Sequence, residues 1–270
     1  MNYLSLFTGA GGGDLGMQHL LGFRCRGYVE YEPYCQEVIK ARIKDGLLDA
    51  APIFGDIRAF VSEGYAESYQ GMVELITGGF PCQPFSDAGK RGGQNDPRNM
   101  WPSTYECLSI IKPRYGFFEN VPGLLGNSNP DIEWWDLDEA PTDNLRYFGT
   151  ILRDISKAGY WFNYRTLGTR HLFGKQGLKR DRIWILALRD SLDVDRLWIQ
   201  KRVTLKDKIW STAVPPNILD VEESWLVAND WGRREPYGVS ECMDRFKAIG
   251  NAQDGRVAAT AFRILSGGLT

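Results

Sequence analysis

The side chains in this sequence best suited to chemistry are a cysteine locked between two prolines and a glutamate that ends a nearby apolar run. The first lies in Gly79-Phe80-Pro81-Cys82-Gln83-Pro84-Phe85-Ser86, directly after the apolar stretch Leu75-Ile76-Thr77-Gly78. Each proline fixes its own φ and keeps the residue before it out of the helical region, so Cys82 is presented by a stiff turn. A turn at a strand end is where α/β sheets place ligand sites; a thiol that only fills space sits on the face of a helix or strand. Glu119, in Glu119-Asn120-Val121-Pro122, ends the following strand. Two adjacent strand ends would set a thiol and a carboxylate over one cavity, a nucleophile beside an acid–base group. A third constellation is Phe7-Thr8-Gly9-Ala10-Gly11-Gly12, a turn that lets a ligand approach the backbone closely.

The elements that must position these groups follow from hydropathy period. Residues 2–7 read as a buried strand, 14–21 as an amphipathic helix, 27–32 as a strand ending in acids, and 33–43 as a helix. Strands are predicted at 52–57, 72–77 and 114–119, helices at 102–111 and 145–158, then strands near 161–167 and 182–187 and a closing helix over 258–265. Strands alternating with helices predict an α/β fold with a mostly parallel central sheet covered on both faces. Glu30 falls about twenty residues after the glycine turn, where a nucleotide site places a carboxylate for ribose hydroxyls. Asp56, at the end of the third strand, can accept from an adenine amino group. Position 14 is Asp, so the third glycine of a dinucleotide fingerprint is absent. A mononucleoside ligand is favoured, with S-adenosylmethionine as the candidate that needs no pyrophosphate cradle.

Composition narrows the function class. The chain has 270 residues, 43% apolar and 24% charged, in the range of a globular protein. No apolar run approaches the roughly 18 residues of a membrane span, and no export signal is visible; the expected location is the cytoplasm. Five cysteines without a Cys-x-x-Cys pair argue against a disulfide framework and a zinc ribbon. Two histidines, His19 and His171, leave little material for a metal site or a Ser-His-Asp triad. Net charge is −2, yet residues 165–208 hold twelve Lys/Arg against five Asp/Glu, a footprint suited to a phosphate backbone. Residues 131–143 hold six acids and no base and read as an exposed insertion.

Taken together, these motifs resemble those of the DNA cytosine-5 methyltransferases, nearly from end to end. Residues 6–12 resemble the cofactor loop of that family and residues 79–86 its nucleophile loop. Asp96-Pro97-Arg98 before Trp101 resembles its helix start, Glu119-Asn120-Val121 its base-binding carboxylate, Arg180-Asp181-Arg182 its arginine pair and Gly250-Asn251-Ala252 its C-terminal motif. The resemblance implies a Rossmann-like SAM-dependent methyltransferase fold. It implies a catalytic domain over 1–187, a small irregular target-recognition region over 188–243, and a segment 244–270 that returns to the catalytic domain. Its catalytic residues would be Cys82, Glu119, Arg180 and Arg182. Cofactor contacts would come from Phe7, Gly9, Gly11, Gly12, Glu30, Tyr31, Asp56, Ile57, Pro81 and Asn251. DNA contacts would come from Gln83, Ser86, Lys90, Arg91, Arg98, Arg202, Lys206 and Arg233. Cys82 would add to C6 of a cytosine flipped out of duplex DNA so that C5 accepts a methyl group. Implied partners are double-stranded DNA and, in a restriction–modification setting, a cognate endonuclease, with the enzyme acting as a monomer. Alternatives are a tRNA cytosine-5 methyltransferase and a degenerate module that binds DNA or cofactor without turnover.

Four departures stand out. Leu178 occupies the first place of the arginine motif where Gln is usual, Gln253-Asp254-Gly255 replaces an apolar residue and a proline, and Ser5 stands where Asp is common. Only about sixty residues separate Ala187 from Ala248, a compactness that resembles phage and prophage members.

Overall fold

In the computed structural model the described residues are 1–81, 99–125, 143–173, 180–189 and 253–267. In chain order the elements are β1 (Asn2–Leu6), α1 (Gly12–Leu15), a π-helical turn (Gly16–Leu20), β2 (Arg24–Val29), α2 (Pro33–Lys44), β3 (Ile53–Phe54), α3 (Ile57–Ser62) and α4 (Tyr65–Ser68). They continue with β4 (Leu75–Gly78), α5 (Trp101–Ile111), β5 (Tyr115–Asn120), a 3-10 turn (Pro122–Leu125), α6 (Asp143–Lys157), β6 (Trp161–Gly168), α7 (Thr169–Phe173), β7 (Asp181–Leu188) and α8 (Gly255–Leu265). The strand order is β3-β2-β1-β4-β5-β7-β6. The pairs from β3 through β5 are parallel, and β7 runs antiparallel to both of its neighbours. The sheet is therefore mostly parallel. Its order reverses between β1 and β4, so the carboxyl ends of those two strands border the crevice where such sheets bind ligands.

Strand alternation sorts the core into two layers. Leu4, Leu6, Ile76, Phe118, Ile183 and Ile185 face α3–α6, where Phe60, Trp101, Leu108, Phe148 and Ile151 cover them. Tyr3, Leu75, Phe117, Trp184 and Leu186 face the other way, against Met17, Ile39, Val257, Ala258 and Phe262. The period of two in the strands makes this division, and each face needs its own helical cover. Phe262 of α8 is fully buried and meets Phe23 and Phe117 edge-on, each at 5.3 Å, while Phe117 stacks on Trp184 at 5.2 Å. Burial of that one ring contributes about 2–3 kcal/mol, enough to hold the C-terminal helix on the sheet.

Two local expectations differ from what is observed. The helix predicted over 14–21 is instead one α-helical turn followed by a π-helical turn. That stretch lies against α8 so closely that Gly16 touches the Gly255 backbone. The strand predicted over 52–57 pairs only at Ile53 and Phe54, because Asp56 ends it by capping α3, its carboxylate accepting from Arg58 N at 2.9 Å. No helix among the described residues is long and apolar enough to cross a membrane.

Candidate active site

The glycine turn after β1 is built from positive backbone angles. Phe7 (φ 52°), Gly9 (φ 57°) and Gly11 (φ 76°) all lie in the left-handed region. For an aromatic residue that conformation is strained, and it persists because the surroundings over-determine it. Thr8 N donates to Val29 O at 3.2 Å, Gly11 N donates to Thr8 O at 3.0 Å, and the Thr8 hydroxyl contacts the Ser5 hydroxyl at 3.1 Å. The turn aims Gly9 N at Glu30, whose Oε2 accepts from it at 2.6 Å while Oε1 accepts from Glu32 N at 2.8 Å. Burial pushes the Glu30 carboxyl above its ordinary range, and these backbone donors pull it back. Each oxygen keeps a further lone-pair direction for a hydroxyl of a ligand.

Other predicted cofactor residues have separate roles. Tyr31 is 67% exposed just beyond β2, with its ring open to solvent. Both carboxylate oxygens of Asp56 are engaged by the Arg58 guanidinium at 2.7–3.1 Å, which holds its pKa below the ordinary value. Ile57 has its side chain in the core, leaving its main chain for any ligand contact. Gly12 has a role the sequence did not reveal. A Cβ there would stand 2.3 Å from Gln253 O, so this glycine makes room for the C-terminal segment. Pro81 is exposed at the end of a described stretch.

Between β1 and β4 lies an open pocket lined by Ser5, Leu6, Phe7, Thr8, Gly13, Asp14, Met17, Thr77, Gly78, Gly79, Phe117, Trp184 and Gln253. Its lining contains one acid and no Lys or Arg. A phosphate-bearing ligand would need donors and positive charge there, whereas a cationic ligand finds carboxylate and hydroxyl oxygens. Asp14 is buried, accepts from Tyr3 OH at 2.9 Å, and is further supported by the Ser5 side chain. Burial pushes its pKa up to about 6 against these hydrogen bonds. In the sequence Asp14 stands out only as the absence of a glycine. The signal available was an acid on the apolar face of the first helix.

The second half of the site lies at the ends of β5 and β7. Glu119 pairs with Ile-flanked β7 through Arg182, whose Nε approaches Glu119 Oε1 to 2.7 Å. The Glu119 side chain is 12% exposed. Burial drives its carboxyl above the ordinary range, while Arg182, the Gln253 amide and Arg180 oppose that shift. The Arg180 guanidinium is itself held below its usual value, first by burial and then by Arg182. Asn120 ties β5 to the chain leaving β4. Its Nδ2 donates to Phe80 O at 3.0 Å and its Oδ1 accepts from Val121 N at 2.8 Å. The predicted Glu119, Arg180 and Arg182 are thus brought together, next to the segment that leads to Pro81. Cys82, Gln83, Ser86, Lys90, Arg91 and Arg98 lie outside the described residues, as do Arg202, Lys206, Arg233 and Asn251, Leu178, the 131–142 stretch and residues 190–252.

The departures at 253–255 acquire a physical account. Asp254 caps α8 by accepting from Arg256 N at 3.0 Å, and Gly255 begins the helix where its backbone meets Gly16. Gln253 reaches Glu119, its Nε2 standing 3.4 Å from Oε2.

Comparison with known proteins is consistent with this geometry. A family model described as C-5 cytosine-specific DNA methylase matches residues 1–238. The chain is 30% identical over 187 residues to the Type II methyltransferase M.NgoMIV of Neisseria gonorrhoeae, covering 69% of this chain and 51% of that one. It is 32% identical over 219 residues to the Type II methyltransferase M.FnuDI of Fusobacterium nucleatum, covering 78% and 55%. The chain thus spans about half the length of the curated relatives it matches. Among solved structures, a Spodoptera frugiperda DNMT2 variant aligns over 71% of this chain and 50% of its own, with a TM-score of 0.48 at 21% identity.

Proposed function

The chain belongs to the C-5 cytosine-specific DNA methylase family, and from that premise we propose that it methylates cytosine at C5 in duplex DNA with S-adenosylmethionine as donor. The observation that carries the reading is the pairing of two half-sites on one sheet edge. The Gly9–Glu30 turn stands at β1 and β2, the base-free pocket between β1 and β4, and the part-buried Glu119–Arg182 pair at β5 and β7. The pocket suits the donor: its acid and hydroxyl oxygens can face an ammonium and a sulfonium, and Glu30 can accept from ribose hydroxyls. Phe7, Gly9, Gly11, Gly12, Tyr31, Asp56, Ile57, Pro81 and Asn251 would complete its contacts.

S-adenosylmethionine, when bound, supplies an electrophilic methyl group. The protein's part is to make cytosine C5 nucleophilic. Cys82, as thiolate, adds to C6, which moves the ring electrons onto C5. Glu119 holds N3 and the 4-amino group of the base, with its pKa raised by burial so that a proton can be donated or shared as charge builds. Arg182 and Arg180 fix the carboxylate and add positive potential. After methyl transfer the C5 proton leaves to a base and Cys82 departs as thiolate, restoring the aromatic ring. C6 is out of reach inside a duplex, so the base is flipped out, at a cost of a few kcal/mol. Lys90, Arg91, Arg98, Gln83 and Ser86 would hold the DNA near Cys82. Arg202, Lys206 and Arg233 in the 188–243 region would read or position the target. A cognate restriction endonuclease is part of this proposal.

The test is covalent trapping. Duplex DNA carrying 5-fluorocytosine, incubated with S-adenosylmethionine, should yield a stable protein–DNA adduct with the wild type and none with Cys82→Ala. An adduct persisting in the variant would remove Cys82 from the mechanism, and transfer to tRNA but not to DNA would move the proposal to another polymer.

A further inference from the structure

Among the described residues, the Gln253 side chain reaches both half-sites. A Cβ on Gly13, in the turn after the glycine loop, would stand 2.2 Å from its Oε1, and a Cβ on Gly79, just beyond β4, would stand 2.7 Å from its Nε2. The same Nε2 lies 3.4 Å from Glu119 Oε2, across a sequence separation of 134 residues. The main-chain carbonyl oxygen of Gln253 rests on Gly12, 2.3 Å from where a Cβ would be. Two glycines on two different strand exits, Gly13 and Gly79, therefore leave space for the side-chain amide, and Gly12 leaves space for the main chain of the same residue. Resemblance to the family leads one to expect an apolar residue there, which could fill the space but could not donate to a carboxylate.

We propose that Gln253 is a positioning residue that locks the orientation of Glu119 from the cofactor side, so that the carboxylate is held between Arg182 and the Gln253 amide. The proposal rests on the methyltransferase reading for its consequence in catalysis, but its geometry stands without it. Glu119 Oε1 is taken by Arg182 Nε, which leaves Oε2 free to rotate out of plane only if nothing holds it. The amide, wedged against Gly13 and Gly79, removes that freedom and supplies a hydrogen bond to the ionised form. Among the described residues, the charged groups that act on Glu119 are Arg182 and Arg180, and Asp254 in turn acts on Arg180. Removing the amide donor weakens the hold on the ionised carboxylate, so Glu119 should titrate higher.

The experiment compares wild type, Gln253→Met and Gln253→Glu, with Glu119→Gln as the reference that identifies the Glu119 signal. Methionine keeps the length and packing but lacks the donor; glutamate keeps the length and replaces the donor by a second acceptor. Carbon-13 NMR of glutamate-labelled protein without ligand follows the Glu119 carboxyl across pH. An upward shift of roughly half a unit is expected in Gln253→Met, and a larger one in Gln253→Glu. In the pH profile of methyl transfer to duplex DNA, the limb that Glu119→Gln abolishes should move the same way. Unchanged Glu119 titration in either folded variant overturns the proposal. A wild type that methylates no DNA overturns the methyltransferase reading instead and leaves the NMR result to decide the role of Gln253.

Discussion

Replacing Gly16 by alanine adds one methyl group where two backbones already touch. A Cβ at Gly16 would stand 2.0 Å from the Gly255 carbonyl oxygen, 2.6 Å from its carbon and 2.7 Å from its Cα. Restoring an ordinary contact of 3.4 Å requires the two segments to part by about 1.4 Å. All three obstacles are main chain, so no side chain can turn aside. Parting them lifts α8, whose Val257, Ala258, Ala261, Phe262 and Leu265 are buried on the sheet. Overpacking of a core costs about 1–3 kcal/mol, and a rigid obstacle places this case near 3 kcal/mol. At about 2–4 °C per kcal/mol for a chain of this size, Tm should fall by roughly 6–12 °C. The assay is thermal unfolding of wild type and Gly16→Ala beside Gly123→Ala, since a Cβ at Gly123 meets nothing within 4 Å. The control should stay within about 0.5 kcal/mol of wild type. A Gly16→Ala protein melting no lower than the control would refute the claim that this glycine exists to admit the C-terminal helix.

Three further outcomes are expected. Asp14, buried with its pKa raised to about 6 from 3.8, binds a proton in the folded state that the unfolded chain has lost. Its contribution to stability therefore falls as pH rises through the window from about 4 to 6, by about 3 kcal/mol. Urea midpoints of wild type and Asp14→Asn across that window should diverge accordingly, the variant lacking the slope. Arg182→Met removes the cation nearest Glu119 and leaves a carboxylate that is 12% exposed without that partner. The loss should be about 2–3 kcal/mol at pH 8 and should shrink as falling pH protonates Glu119, whose carboxyl burial holds above the ordinary range, as read by chemical unfolding over a descending pH series. Gly79→Ala places a methyl group 2.7 Å from Gln253 Nε2 and 2.9 Å from Glu119 Oε2. It should slow single-turnover methyl transfer at saturating S-adenosylmethionine by about tenfold, measured by rapid quench.

Much of the sheet was legible because each strand is short, apolar and bounded by turn residues. The run Leu75-Ile76-Thr77-Gly78 became β4, and 182–187 fell inside β7. The third strand is shorter than hydropathy predicts: Ile53, Phe54 and Ile57 share one apolar stretch, but Asp56 caps a helix within it. The first helix departs from the predicted regular helix where Gly16 lies against the Gly255 backbone, a contact with a segment more than two hundred residues away. Site residues followed the same division. Glu30 and Glu119 stand at strand ends that local pattern alone predicts, whereas Asp14 and Gln253 stand out in the sequence only as breaks in a pattern.

The sequence by itself determined which residue types stand at the carboxyl ends of the strands, because period and turn chemistry are local properties of the chain. Strand alternation likewise decided which apolar residues share a face. Only the tertiary structure decided what those residues meet. Strand order brings β1 beside β4 and β7 beside β5, and this places Arg182 on Glu119. The return of the chain at 253–255 determines why Gly12, Gly13, Gly16 and Gly79 must lack side chains. Such contacts join segments far apart in sequence, and their geometry depends on how whole elements pack rather than on any neighbouring residue.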